Sequence, residues 1–83
     1  MPLFMDVHDH VEGATLAAVA DAHEQDLAIQ EQYGVKYLKY WLDEGSGRIF
    51  CPVEAPSKEA AMALHRDGHG LVADHICAVT EGS

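Results

Sequence analysis

The chain opens with a regular alternation of apolar and polar residues over residues 3–11, which predicts a β-strand. One face of this strand is apolar and carries Leu3, Met5, Val7 and Val11. The opposite face is mixed and carries Phe4, Asp6, His8 and His10. This polar face is unusual, and it is the first candidate for chemistry.

Apolar residues at helical spacing predict two helices. The first runs from residue 14 or 15 to about residue 33, and Gly34 stands where a C-terminal glycine is expected. The second begins at Pro56 and Ser57, with Ser57 as its predicted N-cap. Gly68 and Gly70 are both candidate ends of this second helix.

Three further strands complete the pattern. Residues 35–43 and 48–53 form a hairpin around a turn at 44–47, and residues 71–80 form the last strand. The order β-α-β-β-α-β predicts a single α+β domain over residues 1–83 with a ferredoxin-like arrangement. Right-handed crossovers then give an antiparallel four-stranded sheet in the order 4-1-3-2, with both helices on one face.

The other face of such a sheet is left uncovered. It carries apolar residues, namely Leu38, Tyr40, Leu42 and Phe50. Because large exposed apolar patches mark interaction sites, we expect a second copy to pack sheet on sheet and form a dimeric α+β barrel. Such a barrel would enclose the polar face of the first strand, where buried imidazole and carboxylate groups would need partners.

The two cysteines are predicted to be free thiols. Cys51 and Cys77 lie on strands separated by the first strand, so about 9–10 Å divides them, which exceeds the roughly 7 Å limit for a disulfide. Cys51 is expected to face the helices together with Ile49 and Val53. A buried cysteine usually acts as a small hydrophobic residue, and it binds a soft metal only if the site lies on that side.

Composition narrows the possible partners. Five basic and fourteen acidic residues give a formal charge of −9, which repels nucleic acid and favours cations, or simply keeps the protein soluble. No stretch approaches the roughly 20 apolar residues of a membrane helix. The N-terminus lacks a signal-peptide pattern. We therefore expect a cytoplasmic protein with no nucleic-acid or membrane partner.

The six histidines are the main candidates for chemistry. His8 and His10 are two residues apart on a strand, so both project from the face that carries Asp6. Two imidazoles and a carboxylate can bind one divalent ion, and imidazole suits zinc, copper, iron and nickel. The alternative is a solvated strand end, and the residues alone leave both interpretations open.

His65 and His69 lie four residues apart, the spacing of paired zinc ligands on a helix. Gly68 lies between them and is a candidate helix end, and no glutamate follows His65, so the metalloprotease motif is absent. The alternative is a histidine at a helix end, where it favours the negative end of the helix dipole.

His23 lies within the apolar stripe of the first helix. We prefer a structural role, as a core histidine that pairs with Asp26, over a role in orienting a metal ligand. Tyr37 and Trp41 are predicted to share the other side of the second strand as packing residues. The chain has no phosphate-binding glycine loop, C-x-x-C or G-x-S-x-G motif, so no residue is indicated as a nucleophile.

Four segments together carry a resemblance to a known family: MDVHDHVEGAT, AHEQDLAIQEQYGVKYLKYW, FCPVEAP and HRDGHGLVADHI. The chain resembles small bacterial nickel-binding proteins of ferredoxin-like fold, a family otherwise classed as of unknown function. The resemblance covers nearly the whole chain and implies a homodimer that binds Ni(II) or a similar divalent ion. It carries over to the matching residues Asp6, His8, His23, Asp26, Cys51, His65 and His69.

Three functions follow, in order of preference. The first is binding of a divalent transition metal ion for sequestration, trafficking or sensing. The second is a small dimeric barrel enzyme, oxygenase- or isomerase-like, with His8, His10 or His23 as acid/base. It requires a cavity of roughly 300 Å3 or more for an organic substrate. The third is an interaction module in which the histidines are incidental.

Overall fold

A computed structural model of the chain describes residues 2–68, 70 and 72–82. Its elements, in chain order, are β1 (Leu3–His8), α1 (Leu16–Tyr33), β2 (Lys36–Tyr37), β3 (Trp41–Asp43), β4 (Arg48–Glu54), α2 (Lys58–Gly68) and β5 (His75–Ala78). The α+β class predicted from the sequence is confirmed. No helix in the described ranges is long and apolar enough to cross a membrane.

The strands form one antiparallel sheet with the order β2-β4-β1-β5, and β3 pairs with another part of β4. β1 is therefore central, and Asp6 lies opposite Cys51 across the β1–β4 ladder. On the other side of β1, Met5 lies opposite Cys77. Both cysteines are free, as predicted, with Cys51 buried and Cys77 exposed.

The structure has five strands where the sequence predicts four, because the predicted strand 35–43 is interrupted. Tyr37 of β2 pairs with Val53, and Trp41 of β3 pairs with Phe50. Between these two pairs, the chain from β2 to β3 therefore contains one residue more than the facing stretch of β4. One extra residue in one strand is the defining feature of a β-bulge, which also turns the following side chains to the opposite face. Pro52 lies opposite this interruption and has no N–H to donate to the ladder.

This register change corrects two predictions. Tyr37 and Trp41 were expected on the same side of one strand, but Tyr37 is 3% exposed beneath the helices and Trp41 is 50% exposed. Tyr40 and Leu42 were expected on the uncovered face, and they pack against the core instead. The extra residue accounts for both differences, because it reverses the alternation after Tyr37.

The helix boundaries follow from local capping. The Thr15 hydroxyl accepts a hydrogen bond from the backbone N–H of Ala18 at 3.1 Å, which begins α1. Gly34 ends α1 with a φ of 67°, a conformation that glycine adopts without steric cost. The Ser57 hydroxyl accepts from the N–H of Ala60 at 3.2 Å, as expected for its predicted capping role.

The core lies between the two helices and the sheet face that carries Phe4, Ile49, Cys51 and Val53. Asp6 and His8 lie on this same face and are buried. The expectation that the polar face of β1 lies inside a dimeric barrel is therefore wrong. It fails because Asp6 finds partners on α2 and β2, and the ring of His8 packs against that of His65 on α2.

Candidate metal centre

Five of the predicted site residues converge beneath the helices. β1 supplies Asp6 and His8, α1 supplies Asp26, β4 supplies Cys51 and α2 supplies His65. None of the five is more than 8% exposed. The β1–β4 register places Asp6 opposite Cys51, and His8 follows two residues later on the same face, so the sheet forms one wall of the cluster.

His65 bridges the two buried carboxylates. Its Nε2 lies 2.7 Å from Asp6 Oδ2, and its Nδ1 lies 3.2 Å from Asp26 Oδ2. Burial lowers the pKa of His65, but hydrogen bonds to Asp26, Asp6 and Cys51 outweigh it and raise this pKa to about 11. In the metal-free protein at neutral pH, His65 is therefore an imidazolium between two carboxylates.

Tyr37 is a member of this cluster that the sequence did not indicate. Its hydroxyl donates a hydrogen bond to Asp6 Oδ2, and its ring centroid lies 4.6 Å from that of His65. Burial, followed by the charge of Asp6, raises the pKa of Tyr37, so the phenol stays protonated and remains a donor. The only sequence signal was its position in an apolar, aromatic strand, which is equally typical of packing residues.

Three of the buried donor atoms form a candidate group for one metal ion. His8, Cys51 and His65 each offer a ligand atom, and these atoms lie within 4.8 Å of one another. Ligands at bond lengths of about 2.0–2.3 Å lie about 3.3–3.8 Å apart around a tetrahedral ion, so binding would draw the most separated of these donor atoms together by up to about 1–1.5 Å. Imidazole nitrogen and thiolate sulfur suit borderline ions such as nickel and zinc.

Asp6 provides a second indication that a ligand belongs here. Its Oδ1 is buried and has no hydrogen-bond partner within the described part of the chain. Most buried polar atoms have a partner, so an orphaned carboxylate oxygen points to a group that it can contact. Burial raises the pKa of Cys51, and the neighbouring His65 opposes that rise. A bound cation would favour the thiolate further.

A cavity of about 90 Å3 reaches the cluster from the surface. Its polar wall includes His8, Asp26, Cys51 and His65, and its remaining lining residues are Val11, Glu12, Gly13, Ala14, Ala18, Val19, Ala22, His23, Tyr40 and Ile49. His23 is half-buried, and its ring centroid lies 4.9 Å from that of Tyr40. His23 thus lines the approach to the cluster.

The other predicted residues lie elsewhere. His10 is exposed, and its Nδ1 lies 2.8 Å from the carbonyl oxygen of Ser46 in the turn before β4. The structure therefore does not bring His10 together with His8, although both belong to the same sequence pair. His69 lies outside the described residues.

Two cavities within the described ranges bear on the enzyme hypothesis. The cavity beside His8 and His23 measures about 90 Å3, and a groove on the opposite sheet face measures about 210 Å3. Both fall below the roughly 300 Å3 at which sites for organic substrates begin. The geometry is better suited to an ion and its immediate neighbours.

Comparisons with known proteins identify the family and the fold. Residues 4–79 match a family model described as nickel responsive protein SCO4226-like. The crystal structure of SCO4226 from Streptomyces coelicolor A3(2) is similar at 37% sequence identity and a TM-score of 0.89, over 98% of this chain and 99% of that chain. No curated protein matches the chain.

Proposed function

Since this chain belongs to the SCO4226-like family of nickel responsive proteins, we propose that it binds one divalent transition metal ion, Ni(II) first among them. His8, Cys51 and His65 are the proposed protein ligands. The observation that carries the proposal is the convergence of their three buried donor atoms within 4.8 Å. Sequestration, trafficking and sensing all require such a site.

The neighbouring carboxylates have supporting roles in this proposal. Asp26 contacts Nδ1 of His65 at 3.2 Å, and a carboxylate on the far nitrogen orients a metal-binding histidine and raises its basicity. Asp6 contacts the other nitrogen of His65 and has an unpartnered oxygen, so its buried charge favours a cation at this cluster. Tyr37 holds Asp6 through its hydroxyl.

The proposal is tested by titrating the tag-free protein with Ni(II) and Zn(II) in a calorimeter. We expect saturable binding of one ion per chain at this site, with nickel retained after dialysis. A folded protein that retains no nickel and gives no saturable heat would contradict the proposal. A polyhistidine tag must be absent because it binds nickel itself.

The affinity for Ni(II) is expected to rise with pH across the neutral range. His65 must lose a proton to bind the ion, and its pKa in the metal-free protein is raised from 6.5 to about 11. Proton competition therefore weakens binding at every pH below about 11, by about tenfold per pH unit for one displaced proton. Calorimetry in buffers of different ionisation enthalpy measures the released protons. An affinity that is constant from pH 6 to pH 8 would exclude ligation by His65.

We also propose that two copies pair through the sheet face away from the helices. This face carries the exposed side chains of Leu38 and Trp41, at 39% and 50% exposure. They border an open groove whose lining also includes Leu3, Met5, Lys39, Pro52, Val79, Thr80 and Glu81. Covering this face would add apolar burial to a domain too short to bury a large core.

Replacing Trp41 by glutamate is expected to raise the dissociation constant of this dimer by more than about tenfold, since aromatic residues dominate interface energies. Light scattering should give twice the chain mass of 9.0 kDa for the wild type and a lower mass for W41E. The matched control is Leu16→Glu, because Leu16 is 60% exposed on α1. A wild-type protein of single-chain mass, or equal effects of both variants, would contradict the proposed interface.

A further inference from the structure

The candidate metal centre is polar, whereas most residues that line the cavity beside it are apolar. Beyond the donor side chains, its α1 wall combines the small apolar residues Ala18, Val19 and Ala22 with His23. Ala18 and Ala22 are four residues apart and therefore share one helix face. The cavity is thus a short and mainly apolar passage, with His23 in its wall, that ends at the three proposed ligands.

The three proposed ligands all form part of the cavity wall. An ion held by them would lie at that wall, within reach of a molecule in the cavity. Metal sites with three protein ligands typically leave a position for water or a small molecule. The passage therefore gives an outside molecule access to the ion.

Resting on the proposed function, we infer that this cavity binds a compact, neutral nitrogen- or sulfur-donor molecule that completes the coordination of the bound ion. The His/Cys ligand set favours borderline ions, which accept nitrogen and sulfur donors. The formal charge of −9 disfavours anions. The apolar wall favours a donor with a small apolar body.

The size of the cavity limits this molecule. The cavity's volume of about 90 Å3 is well below the roughly 300 Å3 at which sites for drug-sized ligands begin. A single azole ring matches this space, whereas a fused bicyclic ring exceeds it. Imidazole and the larger benzimidazole are therefore suitable probes, because they present the same donor atom on bodies of different size.

The experiment titrates the nickel-loaded, tag-free protein with each probe and follows the thiolate-to-nickel charge-transfer absorption. We expect a saturable spectral shift with imidazole and none with benzimidazole. Ala22→Leu should weaken imidazole binding by at least about tenfold, because even one extra methylene in an apolar pocket changes affinity by that factor. Its nickel content should remain that of the wild type, since Ala22 offers no ligand.

Ala28→Leu is the matched control, because Ala28 is an exposed residue of the same helix and does not line the cavity. It should bind imidazole as the wild type does. Retained nickel without an imidazole shift would overturn the inference and leave the proposed function intact. Absence of nickel binding would overturn both. A shift that A22L leaves unchanged, or loss of nickel to imidazole, would also overturn the inference.

Discussion

Replacing His8 by alanine is expected to lower the affinity for Ni(II) by more than about 100-fold, whereas replacing His10 by alanine leaves it unchanged. Loss of residues that merely orient a metal ligand costs about 10–100-fold, so loss of a ligand should cost more. His8 is 5% exposed and belongs to the cluster of donor atoms. His10 is exposed and contacts the Ser46 carbonyl.

The His8→Ala and His10→Ala variants form a matched pair, because they remove the same side chain from neighbouring positions of the sequence. Calorimetry with Ni(II) gives the affinities, and near-ultraviolet circular dichroism verifies that each variant keeps its packing. Cys51→Ser provides a second ligand variant that keeps the side-chain size. Equal losses for His8→Ala and His10→Ala would favour a site on the strand pair. An unchanged affinity of His8→Ala for Ni(II) would show that the ion binds outside the proposed cluster.

The sequence indicated His8 as a candidate ligand, but it paired His8 with the wrong histidine. A spacing of two on a strand predicts a shared face, and His8 and Asp6 do share one. β1 ends at His8, however, so the alternation does not extend to His10. The partner of His8 in the cluster is His65, which lies in α2 and is separated from it by most of the chain.

The sequence pattern also could not tell whether the polar face of β1 packs against the helices or points away from them. Alternation separates Asp6 from Met5, but it does not state which set faces the helices. The deciding partners are Tyr37 and His65, which reach Asp6 from β2 and α2. Such contacts depend on tertiary packing, whereas the helix caps at Thr15 and Ser57 are local and were predictable.

A single extra residue reversed the alternation after Tyr37, so the predicted side was wrong for Trp41 and right for Tyr37. A strand read continuously over residues 35–43 places Tyr37 and Trp41 on one side, but the register changes between the β2 and β3 pairs. Pro52, in the opposite strand, was the available sign of irregularity. Its position relative to residues 38–40 becomes known only when the strands are paired.

Replacing His65 by alanine is expected to destabilise the metal-free protein by about 3–5 kcal/mol, because it leaves two buried carboxylates without their shared cation. For a domain of this size, that loss lowers the melting temperature by more than about 12 °C. The matched control is His75→Ala. His75 Nε2 lies 2.7 Å from Asp9 Oδ2, the same separation as in the His65–Asp6 pair, but the His75 side chain is 64% exposed.

The two variants therefore separate the effect of burial from that of distance. An exposed pair contributes about 0–1 kcal/mol, so His75→Ala should change the free energy of unfolding little. Denaturant titrations at equal protein concentration measure both effects. If His65→Ala costs no more than His75→Ala, then Asp6 and Asp26 do not depend on His65 for charge compensation.

The dependence on pH distinguishes lost charge from lost packing in this variant. The pKa of His65 rises from 6.5 to about 11 on folding, so its charge stabilises the fold fully below pH 6.5 and progressively less up to about pH 11. The difference between the wild type and H65A should therefore shrink as the pH rises from 6.5 toward 10. A difference that stays constant over this range would assign the loss to packing, because the removal of atoms leaves the same void at every pH.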